Sequence, residues 1–319
     1  MIQCKITRLT LHSVTENMST EIEILGANST PLARITRADS DDQLVRSWLR
    51  ARANRSPETY RAYERDANAF LAFVGRPLRA ITIEDLQDFA ESLGKTYAPD
   101  SQRVMVARIK SLLSYGHKSG YLQFNVGLAY GLRRPEDTLA QRILDEEFVL
   151  KMITLEPNER NKLLIRLSYA SAGRVSEIVR LEWRHLHDNG DGGGVVSLYG
   201  KGGKTRAVKI PAKLWRDLSK MRGADDAPVF PSRKKNTVRD GHLTTVQAWR
   251  IVRAAARRVD PDSKAGPHFL RHSHASHALD RDAPITVIQD TLGHSDATTT
   301  RRYAKHRKTV SSSDYLVIS

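Results

Sequence analysis

Cysteine is almost absent from this sequence: Cys4 is the only one in 319 residues. An intrachain disulfide and a cysteine-built zinc site are therefore both excluded. Long apolar runs are missing too, and none reaches the ~20 residues that a membrane-spanning helix needs. The opening stretch MIQCKITRLTLH is broken by Lys5, Arg8 and His12, so it lacks the apolar core of a secretory signal. These absences lead to the expectation of a cytoplasmic protein that does not use a membrane. Acidic residues are the minority: 36 Asp and Glu stand against 51 Lys and Arg, a net charge of +15. That excess suits a polyanionic partner, although ribosomal and membrane-surface proteins share it.

What is present falls into segments. Residues 1–40 show no sustained period and are expected to form a poorly ordered arm. From Asp41 the pattern turns helical. Ser56 can cap a helix with Pro57 in its first position, and Tyr60, Tyr63, Ala67, Phe70, Leu71 and Val74 share one face before Gly75. Thr82 and Asp85 form a capping-box pattern ahead of Leu86, Phe89, Ala90 and Leu93, with Gly94 after them. A further helix carries Val104, Ala107, Ile109, Leu112 and Leu113 and is expected to end near Gly116. Residues 41–132 thus read as a small all-helical domain. A linker over 133–137 follows, where Pro135 disfavours helix at the preceding residue. The remainder, 138–319, reads as mostly helical with one antiparallel hairpin, Val195–Tyr199 and Thr205–Ile210, joined by a Gly-rich loop.

Four strings in the second domain carry candidate chemistry: SAGRVSEIVRLEW, YGKGGKTRAVKIP, HFLRHSHASHAL and LGHSDATTTRRYAKH. Each has a plain reading when taken alone. Arg174, set among Leu167, Ile178 and Leu181 in what reads as an apolar helix, can pair with Glu177 three residues on. GKGGKT resembles a phosphate loop, but the glycine required five residues before Gly203 is Leu198, and a strand follows instead of a helix. His272 and His274 would diverge by about 200° on a helix, so they do not share a metal-binding face, and His272 and His277 read as packing or hydrogen-bonding residues. DNGDGGG reads as a loop and not as a calcium site. Tyr303, beside Arg301 and Arg302, is unremarkable in isolation.

Taken together and in order, the strings resemble the tyrosine recombinase (phage integrase) family. That family's pattern is Arg in G-x-R-x-S-E, Lys in a G-K-G-x-K-x-R hairpin, H-x-x-R, L-G-H, and Tyr nine residues later. The matching residues are Arg174, Lys201, His268 with Arg271, His294, and Tyr303. The resemblance implies a mainly α fold with a small antiparallel sheet, arranged as a two-domain DNA clamp of a helical core-binding domain and a mixed α/β catalytic domain. It also implies their roles. Arg174 and Arg271 would clamp the non-bridging oxygens of a five-coordinate phosphate. His268 and His294 would donate hydrogen bonds or help take the tyrosine proton, Lys201 would protonate the leaving 5′-oxygen, and Tyr303 would hold a 3′-phosphotyrosyl link.

Under the same resemblance Glu177 positions the first Arg, while Lys204 and Arg206 are expected to contact phosphate from the hairpin. No cofactor, metal or ATP is called for. The expected partners are duplex DNA carrying specific sites, a homotetramer on two such sites, and an accessory or directionality protein. The apolar tail Tyr315-Leu316-Val317-Ile318 is expected to dock on a neighbouring protomer. Two positions depart from the family: Arg184 and His185 follow Trp183 where an Asp is usual, and His274 stands where an aromatic is common. Two rival readings share parts of the pattern: a catalytically silent DNA-binding factor, and a type IB topoisomerase that relaxes DNA without exchanging partners.

Overall fold

A computed structural model describes residues 34–53, 56–133, 137–200, 205–232, 241–293 and 303. Lys201, Lys204, His294, the first 33 residues of the arm, most of the linker and the apolar tail lie outside them. The chain divides into two compact units, 1–136 and 137–319.

In the first unit, α1 (Asp41–Ala53), α2 (Pro57–Val74), α3 (Ile83–Leu93) and α4 (Pro99–Lys118) surround one core. Leu44, Trp48, Phe70, Leu86, Ile109 and Leu112 are fully buried there. The starts of these helices follow local chemistry. Ser56 accepts the Thr59 N–H at 3.2 Å, and the Asp85 carboxylate accepts the Thr82 N–H at 2.8 Å, each satisfying a donor that a helix start leaves open.

Two expectations for this unit need correcting. Val104 faces solvent and Met105 faces the core, because Met105, Ile109, Leu112 and Leu113 form one i, i+4, i+7, i+8 stripe and Val104 lies a residue off it. Gly116 lies two residues before the end of its helix at Lys118, which closes near it as expected. It belongs to the same stripe, where an added Cβ would sit 2.8 Å from Leu122 Cδ1. The end of the arm is also ordered: the Ile35 N–H donates to the Ser119 carbonyl at 3.0 Å, and Ala38 is buried.

The second unit is built from α5 (Glu146–Thr154), α6 (Glu159–Ser171), the single turn α7 (Val175–Ile178), strands β1 (Leu186–Asp188), β2 (Gly194–Tyr199) and β3 (Thr205–Ile210), then α8 (Ala212–Ser219), α9 (Thr245–Val259), α10 (Pro267–Asp280) and α11 (Ile285–Leu292). The strands pair antiparallel in the order β1-β2-β3, with Tyr199 opposite Thr205 and Gly194 opposite Ile210. Val196 and Leu198 alternate into the core with Val208 and Ile210. β1 has only three residues, too few for alternation to be read from sequence, which is why the hairpin alone was expected. Helix α6 serves two cores. Leu163, Leu164 and Leu167 pack with the sheet, while Ile165 packs with Val149, Met152 and Leu270.

Both residues that depart from the family pattern make defined contacts within the protein. His185 Nδ1 accepts the Glu182 N–H at 3.1 Å, a role open to a carboxylate, and burial holds this ring below its usual pKa and so in the neutral, accepting form. His274 donates from Nδ1 to the Tyr169 carbonyl at 2.8 Å and meets the Tyr169 ring edge-on at 6.2 Å.

Candidate active site

Arg174 is not inside a helix. Helix α6 ends at Ser171, Ala172 takes a left-handed conformation with φ 49°, and Arg174 caps the short turn α7. Glu177 makes that cap. One carboxylate oxygen accepts the Arg174 backbone N–H at 2.8 Å and the other accepts Arg174 Nη1 at 2.9 Å. About a third of the Arg174 side chain remains open to solvent, whereas the Glu177 side chain is 3% exposed. Glu177 therefore positions the arginine through both backbone and side chain.

Arg206 completes the grip on the same carboxylate. Its Nη1 and Nη2 donate to the two Glu177 oxygens at 3.0 and 2.7 Å, and its Nε donates to the Thr291 carbonyl at 2.7 Å. This corrects the expectation that Arg206 reaches outward to phosphate: all three of its nitrogens are engaged within the protein and its side chain is 11% exposed. Burial raises the Glu177 pKa, and the hydrogen bonds and charges of Arg206 and Arg174 outweigh it, so the carboxyl lies below its ordinary 4.5.

Arg271 enters from α10 and is buried. Its Nη1 donates to the Ala172 carbonyl and its Nη2 to the Leu292 carbonyl, each at 2.6 Å. Desolvation, followed by the charges of Arg174 and Arg206, brings its pKa down to about 10, which leaves it charged at neutral pH. His268, one helical turn earlier, is exposed to solvent. The protein packed around it, and then the charges of Arg271, Arg174 and Arg142, hold its imidazole below 6.5. It is therefore neutral at pH 7 and able to accept a proton. Gly293 closes α11 in the left-handed conformation expected of a helix-ending glycine, with φ 62°.

Tyr303 is 4% exposed and packs among Leu139, Ala172, Ala275, Leu279, Ile288 and Leu292. Its hydroxyl forms a 2.7 Å hydrogen bond with His272 Nδ1, and its charge state is felt at Arg271. The imidazole on the phenol is thus His272, which sequence reasoning treated as a packing or hydrogen-bonding residue. The available signal was its position directly after Arg271. Arg174, Glu177, Arg206, His268, Arg271 and Tyr303 therefore share one neighbourhood, and the three arginines in it exceed the single carboxylate. Such a cluster favours an anion with several oxygens.

Comparison with protein families matches residues 142–309 to the phage integrase family. The chain belongs to that family. As a phage integrase relative it is 36% identical over 189 residues to tyrosine recombinase XerA of Pyrococcus furiosus, covering 56% of this chain and 63% of that protein. It is 30% identical over 276 residues to tyrosine recombinase XerC of Xylella fastidiosa, covering 81% of this chain and 89% of that one. Among solved structures, a lambda integrase tetramer bound to a Holliday junction shares the fold, with a TM-score of 0.65 at 18% identity over 89% of this chain and 87% of that one. The mainly helical architecture with a small antiparallel sheet is the architecture of tyrosine recombinases, and the enzyme class is one that cleaves and rejoins DNA.

Proposed function

We propose that this chain is a site-specific DNA recombinase in which Tyr303 attacks a scissile phosphodiester. The phenol oxygen bonds to phosphorus, the bond from phosphorus to the 5′-oxygen breaks, and a 3′-phosphotyrosyl link keeps the ester for rejoining. Arg174 and Arg271 stabilise the charge that builds on the two non-bridging oxygens. Neutral His268, with His294, assists removal of the phenol proton, and Lys201 returns a proton to the 5′-oxygen. Attack by the 5′-hydroxyl of another strand reverses the step and exchanges partners.

The observation that carries this reading is the shared electrostatic neighbourhood of Tyr303, Arg174, Arg271 and His268, which come from separate segments of the sequence. A tetramer on two duplex sites is in keeping with the lambda integrase tetramer bound to a Holliday junction. The basic helical unit would supply salt-sensitive DNA affinity, and work on chromosomal DNA would place the protein with the nucleoid in the cytoplasm.

The test uses a library of randomised nicked duplexes. Wild-type protein should retain some of them as adducts that survive denaturant and disappear with protease, and Tyr303→Phe should retain none. Equal trapping by both proteins, or none by wild type, overturns the proposal.

A further inference from the structure

We propose that Arg206 is a positioning residue for the recombination chemistry: it holds Glu177 so that Arg174 is aimed at phosphate, and it ties that pair to the end of α11. This inference rests on the recombinase reading above. The case begins with saturation. The two Glu177 oxygens take four donors, two from Arg206 and two from Arg174, with distances of 2.7–3.0 Å. Arg206 is bidentate on the carboxylate, while only one guanidinium nitrogen of Arg174 is committed to it. A bidentate fork fixes orientation as well as distance. Glu177 is thus anchored by the arginine that is the less exposed, and it steers the one that is the more exposed.

The second part of the case is the helix end. Arg206 Nε binds the Thr291 carbonyl and Arg271 Nη2 binds the next carbonyl, Leu292. Two guanidiniums therefore sit at the negative end of α11, where cations are favoured. The fit is close: a Cβ on Gly293 would lie 3.1 Å from Arg206 Cδ and 3.3 Å from its Nη1. In sequence, Arg206 lies on the strand after Lys201, and the turn it grips leads to His294. One side chain thus joins β3, α7 and the end of α11. Removing it would leave Glu177 with Arg174 alone, and Arg174 is the group that must also bind phosphate.

The experiment measures single-turnover adduct formation on the nicked duplex that wild type traps best from the randomised library. DNA affinity and thermal melting are measured alongside. Arg206→Ala should slow adduct formation at saturating DNA by about 100-fold, the scale expected when a reacting group is misplaced by ~1 Å. Its DNA affinity should stay within about threefold of wild type, since Arg206 does not reach outward. Arg206→Lys, which keeps the charge and loses the fork, should recover part of the rate. Glu177→Ala should slow the reaction comparably, and the double variant should be no slower than the worse single one, because residues acting through one another are not additive.

Additive losses, or weaker DNA binding with an unchanged saturated rate, would overturn the positioning role. If Arg206→Ala does not fold, Arg206→Lys decides by the same criteria, and a wild-type rate in it overturns the inference. Failure of wild type to form any adduct removes the recombinase reading itself, and this inference with it. A wild-type adduct with an unaffected Arg206→Ala removes the inference alone.

Discussion

Each unit of this protein buries a carboxylate between two arginines. In the helical unit, Asp66 is fully buried, held by Arg65 at 2.8 Å and by Arg108. In the second unit Glu177 is held by Arg174 and Arg206. A buried carboxylate with two guanidiniums is therefore not by itself the mark of a reaction centre. The surroundings differ. Arg108 lies over the Tyr63 ring at 5.3 Å, a contact between parts of one core. Around Glu177 a third guanidinium, Arg271, is buried, and the pKa values of Arg271 and His268 are depressed first by desolvation and then by the neighbouring arginines. Positive charge that no carboxylate neutralises is what prepares a site for phosphate.

The comparison breaks most visibly by removing one arginine from each cluster. Arg108→Ala leaves a buried carboxylate with only the largely exposed Arg65, and should cost about 2–3 kcal/mol of stability, since uncompensated buried charge is expensive. The adduct-forming rate per folded molecule should be unchanged. Arg174→Ala should do the reverse. Glu177 keeps its bidentate partner, so stability should fall by about 1 kcal/mol or less, while adduct formation should fall about 10²–10³-fold with the loss of an oxyanion donor. Thermal melts and single-turnover rates measure both quantities. A stability loss in Arg174→Ala larger than that in Arg108→Ala, with the rate intact, would make the two clusters equivalent.

A smaller effect sharpens the electrostatic half of the argument. The folded pKa of His268 lies below 6.5, so its imidazole is neutral at that pH and gains a proton only at lower pH. If His268 assists removal of the phenol proton, the rate should hold as pH falls past 6.5 and decline only below it. Rates measured from about pH 5 to 8 test this. A limb centred above 6.5 contradicts the sign, because it would require a histidine stabilised in its charged form. His268→Gln should abolish the limb.

Much of the candidate site was legible because its residues are chemically unusual in their local patterns. Arg174, Arg271 and Tyr303 each lie in a short string with a fixed order, and order survives without coordinates. What sequence could not give was which neighbour each side chain meets across space. Arg206 reads equally well as an outward hairpin cation, since its partners Glu177 and Thr291 are 29 and 85 residues away. His272 reads only as a packing or hydrogen-bonding residue of unnamed partner, because Tyr303 is 31 positions downstream. The same holds in the fold. Helix starts at Ser56 and Thr82 were visible through local capping, whereas the role of Gly116 depends on Leu122 reaching back over it.

Two helix-ending glycines offer the finest test of the difference between the units. Gly75, after α2, has φ 60° and nothing near its Cβ position, while Gly293, after α11, has φ 62° and lies against Arg206. A side chain in this conformation costs about 1–2 kcal/mol, so Gly75→Ala and Gly293→Ala should lower stability by similar amounts. Only Gly293→Ala should also push Arg206 by a few tenths of an ångström and slow adduct formation, by about tenfold when a full ~1 Å misplacement costs about 100-fold. Equal rates in the two variants would mean that the grip of Arg206 on the end of α11 tolerates displacement. The link from that helix end to Arg174 would then be structural and not catalytic.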